Sequence, residues 1–476
     1  MPLQPEPNRA PSPFEAPLSA MPPGARLWIE RGARLAATAA YPAVIAVASV
    51  ARNKWVATHL DVSGIGVLAQ IVQGQTWLGI AAGLGMSLPV AQAVSEALGR
   101  NDSEAARRGF WTAFGLVGAA VLVIATAALL LAPELSQALL GVPWHANLVR
   151  WSVLGLVGYA IANLLLGLFA GRSDVMSPVI YAAFGGAASL AATFLLVPRA
   201  GLVGATIGIV ILWPAGALGV LLVRGRAYRD VPGGPTRPLI RREVAKRLLG
   251  IGTGALFLAL LDLGTMLALR AHYVRAHGVD ANGLLQAALA LSQLVGAVFY
   301  AYLASYAFGK VSAASAAGGV DAARTYTRRQ WKPLVLLAAA GIGFTMVAAS
   351  PLLHLLYSTR FDAARPLMAW TLLGEFGRIA ALTWSVGSLP VGGRRLWVGI
   401  GVTPPIAIAI AYLAFGRAGA GAMSLPFAYA AGGGVLLLVA IVRMGRAGVG
   451  PRAGDLAVAL AAAVFLTSLA AMITRL

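Results

Sequence analysis

The sequence predicts an all-α integral membrane protein built as two pseudo-symmetric six-helix lobes with a thirteenth membrane helix after them. Three observations lead there. Of 476 residues, 59% are apolar and only 11% charged, against about 45–50% and about 25% in a soluble domain, and the mean hydropathy is +0.77. About thirteen runs of roughly 18 or more mostly apolar residues follow one another, each long enough at ~1.5 Å per residue to cross a ~30 Å hydrocarbon core. The two halves also resemble each other at a separation of about 217–219 residues, a length that holds six spans. The 37 Lys and Arg exceed the 17 Asp and Glu by 20, but these charges punctuate apolar runs instead of forming one solvated face. A nucleic-acid binder is therefore disfavoured. With no cysteine, a disulfide scaffold, a Cys-ligated zinc and cysteine catalysis are excluded.

Taken in order, residues 1–24 hold eight prolines and read as a disordered tail (1–30), with Met21 as an alternative start. The tail has no apolar core followed by a cleavage site, so it is not a signal peptide. Arg26 to Arg34 reads as a short interfacial helix. The predicted spans lie near 34–51, 64–96, 109–132, 148–170, 178–197 and 202–223 in a first lobe (31–223). A basic linker (224–247) leads to spans near 248–271, 283–308, 333–353, 366–390, 396–415 and 425–442 in a second lobe (248–442). The remainder (443–476) carries a loop and a span near 456–474. Abundant Gly and Ala suit close helix packing inside a membrane. With the N-terminus in the cytoplasm, the tail and the loops after even-numbered spans hold about 26 of the 37 basic residues, as the positive-inside rule asks.

The repeat is visible in matched segments. HLDVSGIGVLAQ from His59 answers HGVDANGLLQAAL from His277, and Glu104 to Arg107 answers Asp321 to Arg324. Pro133 matches Pro351, Trp151 matches Trp370, and Gly155 matches Gly374. Six spans per repeat send both halves into the membrane in the same direction, so the lobes are related by an axis along the membrane normal. Two such lobes suit alternating access around a central cavity; an ancient duplication in a static bundle is the alternative.

The LDVSGIGVLAQ link, the long second span, GRNDSEAARRG and the hairpin FLLVPRAGLVGATIG together resemble the Wzx-like polysaccharide flippases. These belong to the multidrug/oligosaccharidyl-lipid/polysaccharide (MOP) exporter superfamily, with the multidrug and toxic-compound extruders (MATE) and the lipid II flippases. The similarity covers roughly residues 30–442. It implies a V-shaped pair of six-helix lobes with spans 1, 2, 7 and 8 facing the cavity. It also implies transport of an undecaprenyl-diphosphate-linked glycan across a bacterial inner membrane. Membrane lipid, a coupling H+ or Na+, and a polysaccharide polymerase or glycosyltransferase would be its partners. Flippases of this type usually have twelve spans and lipid II flippases fourteen, so a thirteenth span departs from both.

Charged groups inside spans carry most information, because burying one costs roughly 2.5–3.5 kcal/mol on insertion scales. Arg52 and Lys54 fall at the outer end of span 1 and Arg270 at that of span 7, where the repeat sets it beside Arg52. They form either a cationic clamp for phosphate or interfacial anchors. Glu375 and Arg378, three apart on span 10, either neutralise each other or present Arg378 to a diphosphate. Asp262, mid-span with no basic partner nearby in sequence, is an ion-coupling candidate alongside Glu375; its alternative is a hydrogen bond to a Ser or Thr. Gln70, Gln73, Gln75 and Gln92 on span 2, with Gln286, Gln293 and Tyr300, Tyr302 and Tyr306 on span 8, line a sugar path or glue helices and belt the interface. Glu96, near the inner end of span 2, sits beside Arg100.

Five histidines (His59, His145, His272, His277, His354) fall in outer loops or helix ends without zinc-site spacing, so no metal is expected. No cofactor motif, Walker lysine or nucleophile elbow is present, and the reading is not an enzyme. The leading expectation is a flippase for a lipid-linked oligosaccharide. A MATE-type multidrug or cation antiporter is the second, and a membrane scaffold or glycosyltransferase of envelope-polysaccharide assembly the third.

Overall fold

A computed structural model describes residues 23–228, 231 and 240–475. The proline-rich tail up to residue 22 and most of the inter-lobe linker (229–230 and 232–239) lie outside the described residues, which contain no strand. Divided at their non-helical residues, the long helices give thirteen spans. The first lobe comprises span 1 (23–60), span 2 (62–99), span 3 (Ser103–Leu130), span 4 (Ala146–Gly171), span 5 (176–200) and span 6 (202–224). The second comprises span 7 (242–277), span 8 (279–317), span 9 (320–347), span 10 (Arg365–Ser385), span 11 (394–417) and span 12 (Ser424–Arg446). Span 13 is Ala453–Arg475. Arg26 to Arg34 is not a separate helix, since the helix begins at Pro23 and runs on into span 1.

The repeat is written into the backbone. Left-handed turns between spans occur at Asp61 (φ 56°), Asn101 (59°), Ser173 (53°) and Gly201 (54°), and recur at Gly278 (85°), Gly319 (64°), Gly393 (66°) and Gly419 (78°). Each pair is about 217–220 residues apart, which is the spacing of the sequence match. L-residues other than Gly, Asn and Asp rarely adopt such φ values; all four second-lobe positions are glycine, whereas Ser173 in the first lobe holds the shared path at a steric cost.

Spans 2 and 8 were expected to be continuous, and both break at corresponding depths. Span 2 is interrupted at 83–86, with Leu84 (φ 50°) and Gly85 (φ 63°) left-handed. Span 8 carries a π-helical turn over Leu303–Ala307. Such interruptions re-aim a helix without ending it.

Outward-facing side chains are apolar: Leu122, Val123, Leu222, Phe344 and Val347 are each about 70% exposed, a surface that only lipid would cover. Inside the second lobe, backbones nearly touch. A Cβ on Gly433 would lie 2.2 Å from the Gly374 carbonyl, and one on Gly374 would lie 2.5 Å from that of Tyr429. Small residues are needed there for spans 10 and 12 to pack. Span 13 is part of the fold, with Leu466 and Ala470 fully buried against spans 9 and 10. Trp370 Nε1 donates to Thr474 Oγ1 at 3.0 Å.

Basic residues cluster at one membrane face, here called the basic face. At the opposite face the lobes are clamped together by the starts of spans 2 and 8. A Cβ on Gly66 would stand 2.0 Å from the Val279 carbonyl oxygen, and one on Gly283 would stand 2.1 Å from that of Val62. Gly66 and Gly283, like Val62 and Val279, are repeat-related, so the contact straddles the pseudo-symmetry axis. On the basic side, spans 2 and 7 stay in touch through Gly85 and Gly252, and through a Glu96–Arg247 ion pair. Glu96 therefore pairs across the lobes rather than with neighbouring Arg100.

Candidate functional site

Spans 1, 2, 7 and 8 meet along the seam, and Arg270, Lys54, Gln70, Gln73 and Gln286 of the cations and amides singled out in the sequence lie on it. Arg270 on span 7 is 4% exposed and sits just inside the clamp. Its Nη1 donates to Gln73 Oε1 and Gln286 Oε1, both at 2.8 Å, and its Nε donates to Asn282 Oδ1 at 3.0 Å. Its Nη2 is buried without an acceptor. Asn282 Nδ2 in turn donates to the Gly66 carbonyl at 2.7 Å. Gln70 Nε2 donates to the Leu267 carbonyl at 3.3 Å while its oxygen stays unpaired. One guanidinium thus joins spans 2, 7 and 8 through three amide oxygens. A bare cation there would be costly to bury, and these partners offset that cost without neutralising the charge.

The expected Arg52–Arg270 pair does not form a single clamp. Arg52 donates to Ser189 Oγ (3.3 Å) and Ser49 Oγ (3.5 Å) within the first lobe, and shares no partner with Arg270. Its Nε is buried and unpaired. Beside it, a 120 Å³ cavity lies between span 1 and span 8, lined by Ser49, Asn53, Ala290, Leu294 and Tyr357. Lys54 reaches across the seam and donates to the His354 carbonyl. Asp61 pairs with Arg360 across the same gap, and Arg275 Nη1 donates to the Ala138 carbonyl at 2.9 Å. Lys54 is therefore a latch of the closed face in this conformation.

Span 10 departs from the expectation more sharply. Glu375 and Arg378 do not pair with each other. Glu375, 1% exposed, accepts hydrogen bonds from Tyr300 on span 8 and from Tyr429 on span 12, the latter at 2.7 Å. Arg378 stacks over the Tyr429 ring at 5.5 Å and faces Asp262 on span 7, Nη2 to Oδ2 3.8 Å. Asp262 thus has a basic partner, and it is not a Ser or Thr. Asp262 and Arg378 are 116 residues apart, which hid the pair from a reading of neighbours. The two tyrosines satisfy the carboxylate that the guanidinium leaves alone.

Next to this cluster a 480 Å³ cavity runs toward the basic face, lined by Tyr300, Phe308, Ser385, Leu389, Trp397 and Ile400. A second, mainly apolar groove of 390 Å³ follows the seam of spans 2 and 4 with span 7, lined by Gly79, Gly83, Leu88, Tyr159, Leu256 and Ala259. It borders the break in span 2. Trp77 Nε1 donates to the Leu260 carbonyl at 3.0 Å above it. Gln75 is buried against Gly155 with its oxygen unpaired, while Gln92 and Gln293 are exposed. Asn282 and Tyr429 were not singled out in the sequence. Asn282 sits in an Asn-Gly pair beside a turn and reads as loop, although Gln286 one helical turn on marks its face. Among the described residues no group of three His, Asp or Glu could hold a metal.

Similarity to known proteins agrees with this architecture. The chain is 26% identical to the lipid III flippase of Escherichia coli (strain K12) over 373 residues, covering 76% of this chain and 85% of that one. The lipid III flippase of Shigella flexneri matches equally. An inward-facing multidrug-resistance MATE transporter of the MOP superfamily superposes with a TM-score of 0.71 at 16% identity, covering 86% of this chain and 98% of that one. An outward-facing one superposes with a TM-score of 0.58 at 16% identity, covering 92% and 95%. No family model matches the sequence. The fold and its seam define a two-lobe, MATE-like multi-pass membrane protein. Its likeness in sequence runs to the lipid III flippases, and its likeness in fold to MATE transporters of the MOP superfamily.

Proposed function

We propose that this protein is a flippase that carries a lipid-linked, undecaprenyl-diphosphate-borne oligosaccharide across the bacterial inner membrane, with its N-terminus in the cytoplasm. The observation that carries the reading is Arg270. It is a cation buried at the meeting of both lobes, bonded only to amide oxygens and keeping one donor free. When spans 2 and 8 part, Gln73 leaves with the first lobe and Arg270 must find another acceptor. A diphosphate is a natural one, because charge-assisted bonds to guanidinium are about twice as strong as neutral ones. Arg52 and Arg378 supply further positive charge along the path, and Gln70, Gln73 and Gln286 offer amides to sugar hydroxyls. The apolar groove beside span 2 suits a prenyl chain held in lipid while its head crosses.

The lipid III flippases at 26% identity support this substrate class. The second-lobe cluster bears on the antiporter alternative. A site for an organic cation wants an unpaired acid, whereas Asp262 faces Arg378 and Glu375 is occupied by two hydroxyls. Those two carboxylates fit coupling to H+ or Na+ better, since such an ion need only displace a hydroxyl or a guanidinium. The lobes divide at the 224–247 linker in this reading, and a polymerase or glycosyltransferase supplies or consumes the glycan.

The test replaces Arg52, Arg270 and Arg378 together by Ala and follows glycan export in cells lacking the native gene. Export is expected to be lost while membrane levels stay near wild type. Undiminished export in that variant would sink the mechanism.

A further inference from the structure

Away from the seam, at the basic face, a 440 Å³ pocket lies between the start of span 9 and the loop that enters span 13. It is lined by Arg328, Arg329, Lys332, Arg452, Asp455 and Thr325 beside Pro333, so four cations face one carboxylate. The wall is built rather than fortuitous. Three consecutive carbonyls of the 448–450 loop accept hydrogen bonds: Gly448 from Arg324, Val449 from Trp384 Nε1 at 3.0 Å, and Gly450 from Arg328 Nε at 3.0 Å. Asp455 accepts from the Arg452 backbone N–H at 2.8 Å and faces Lys332 Nζ at 3.3 Å. One acid is thereby spent on one lysine and on closing the turn. Arg329 and Arg452 are exposed and make no ion pair among the described residues. Just past the pocket, spans 9 and 13 present Leu336, Leu337 and Leu460, exposed by 54%, 61% and 66%. A phosphate seated here would have a lipid-facing apolar surface directly beside it.

We propose that this pocket binds the phosphate of an anionic glycerophospholipid, with the acyl chains lying along spans 9 and 13. Basic pockets between membrane helices at the cytoplasmic side are suited to such headgroups, and guanidinium holds a phosphodiester through paired donors. Four cations against one acid exceed what the turn and the Lys332 pair use, and the Arg329 and Arg452 side chains make no ion pair among the described residues. The site depends on span 13, whose entry loop forms half of it. This proposal is independent of the flippase reading, because no residue of the seam takes part.

The experiment titrates the detergent-purified full chain with fluorescent short-chain phosphatidylglycerol, with the matching phosphatidylcholine, and with inorganic phosphate as competitor. Wild type is expected to bind the glycerol lipid about tenfold or more tighter than the choline lipid. Arg329→Gln with Arg452→Gln should erase that preference, whereas Arg226→Gln with Arg395→Gln, an equal loss of charge at the same face, should leave it intact. Preference retained in the first pair, or lost equally in the second, overturns the site. Displacement of the lipid by inorganic phosphate at concentrations comparable to the lipid's own affinity would show a soluble-anion site and overturn the lipid assignment. Circular dichroism on each variant establishes that it is folded.

Discussion

At the scale of single residues, charge in this protein is placed either to fix structure or to remain available, and geometry tells the two apart. Asp174, at the basic face between spans 4 and 5, is of the first kind. It accepts from Tyr228 Oη (2.6 Å), Ser177 Oγ (2.7 Å) and the Met176 and Ser177 backbone N–H groups (3.0 and 3.1 Å), and lies 3.1 Å from Arg224. Burial by itself would raise its pKa. The bonds from Tyr228 and Ser177 and the Arg224 charge outweigh that and hold the carboxyl below its ordinary value. A carboxyl depressed on folding stabilises the fold above its unfolded pKa of ~3.9, and loses that contribution as pH falls through the lower folded value. Thermal unfolding in detergent should therefore separate wild type from Asp174→Asn by a constant gap at pH 5 and above, closing below about pH 4. A gap that persists unchanged to pH 2.5 would mean that the carboxylate charge does not matter. Arg270 is of the second kind, since its partners are neutral amides and its Nη2 remains open.

At the scale of elements, the turns that divide the spans give a sharper test of the repeat than the sequence match does. Ser173 holds a left-handed φ of 53° where its counterpart in the second lobe is Gly393 at 66°. A Cβ in that region costs roughly 1–2 kcal/mol. Ser173→Gly should raise the melting temperature, with a stability gain on the order of 1 kcal/mol after the entropy of the unfolded chain is subtracted. Gly393→Ser should lower it by more, because a ψ of −169° places that glycine where a side chain costs about 1–3 kcal/mol. Opposite signs at these two positions are the expected outcome; a loss at both would show that Ser173 is held for another reason. All thirteen spans were legible because an apolar run of 18 or more residues has one cheap solution in lipid. The positions of Arg52, Lys54 and Arg270 near one face were legible from their distance to the turns. The break at 83–86 is marked by Gly83 and Gly85, glycines that a Gly-rich membrane helix also carries without breaking. The LASYA segment at 303–307 carries neither Gly nor Pro, so its π-turn had no signal in the sequence. Nor were the Asp262–Arg378 and Glu375–tyrosine pairings legible, because which faces of spans 7, 8, 10 and 12 meet is set by tertiary contact and not by spacing along one helix.

At the scale of the whole molecule, the question is whether the two lobes form a bistable pair or a static bundle. The closed face is held by two different kinds of interaction. The polar latches are Lys54 to the His354 carbonyl, part-buried, and Asp61 to Arg360, exposed, and such contacts contribute about 0.2–1 kcal/mol each. The clamp of Gly66 against Val279 and Gly283 against Val62 is steric, and an added methyl at 2.0–2.1 Å from a carbonyl oxygen cannot be relieved by rotating a side chain. Moving a two-state equilibrium from about 99:1 to 1:99 takes about 5.5 kcal/mol, beyond the reach of the latches and within that of two backbone clashes. The chain has no cysteine, so spin labels at Thr58→Cys and Asp280→Cys, on either side of the seam, report on it without background. Lys54→Ala with Arg360→Ala should leave the short distance dominant and add a minor longer one. Gly66→Ala with Gly283→Ala should make the longer distance dominant, at unchanged helical content, because the lobes tilt apart as bodies while their internal glycine contacts at spans 10 and 12 stay closed. A distribution that merely broadens around the short distance would show that the seam deforms locally, and the two lobes would then be a duplication without a rocking motion.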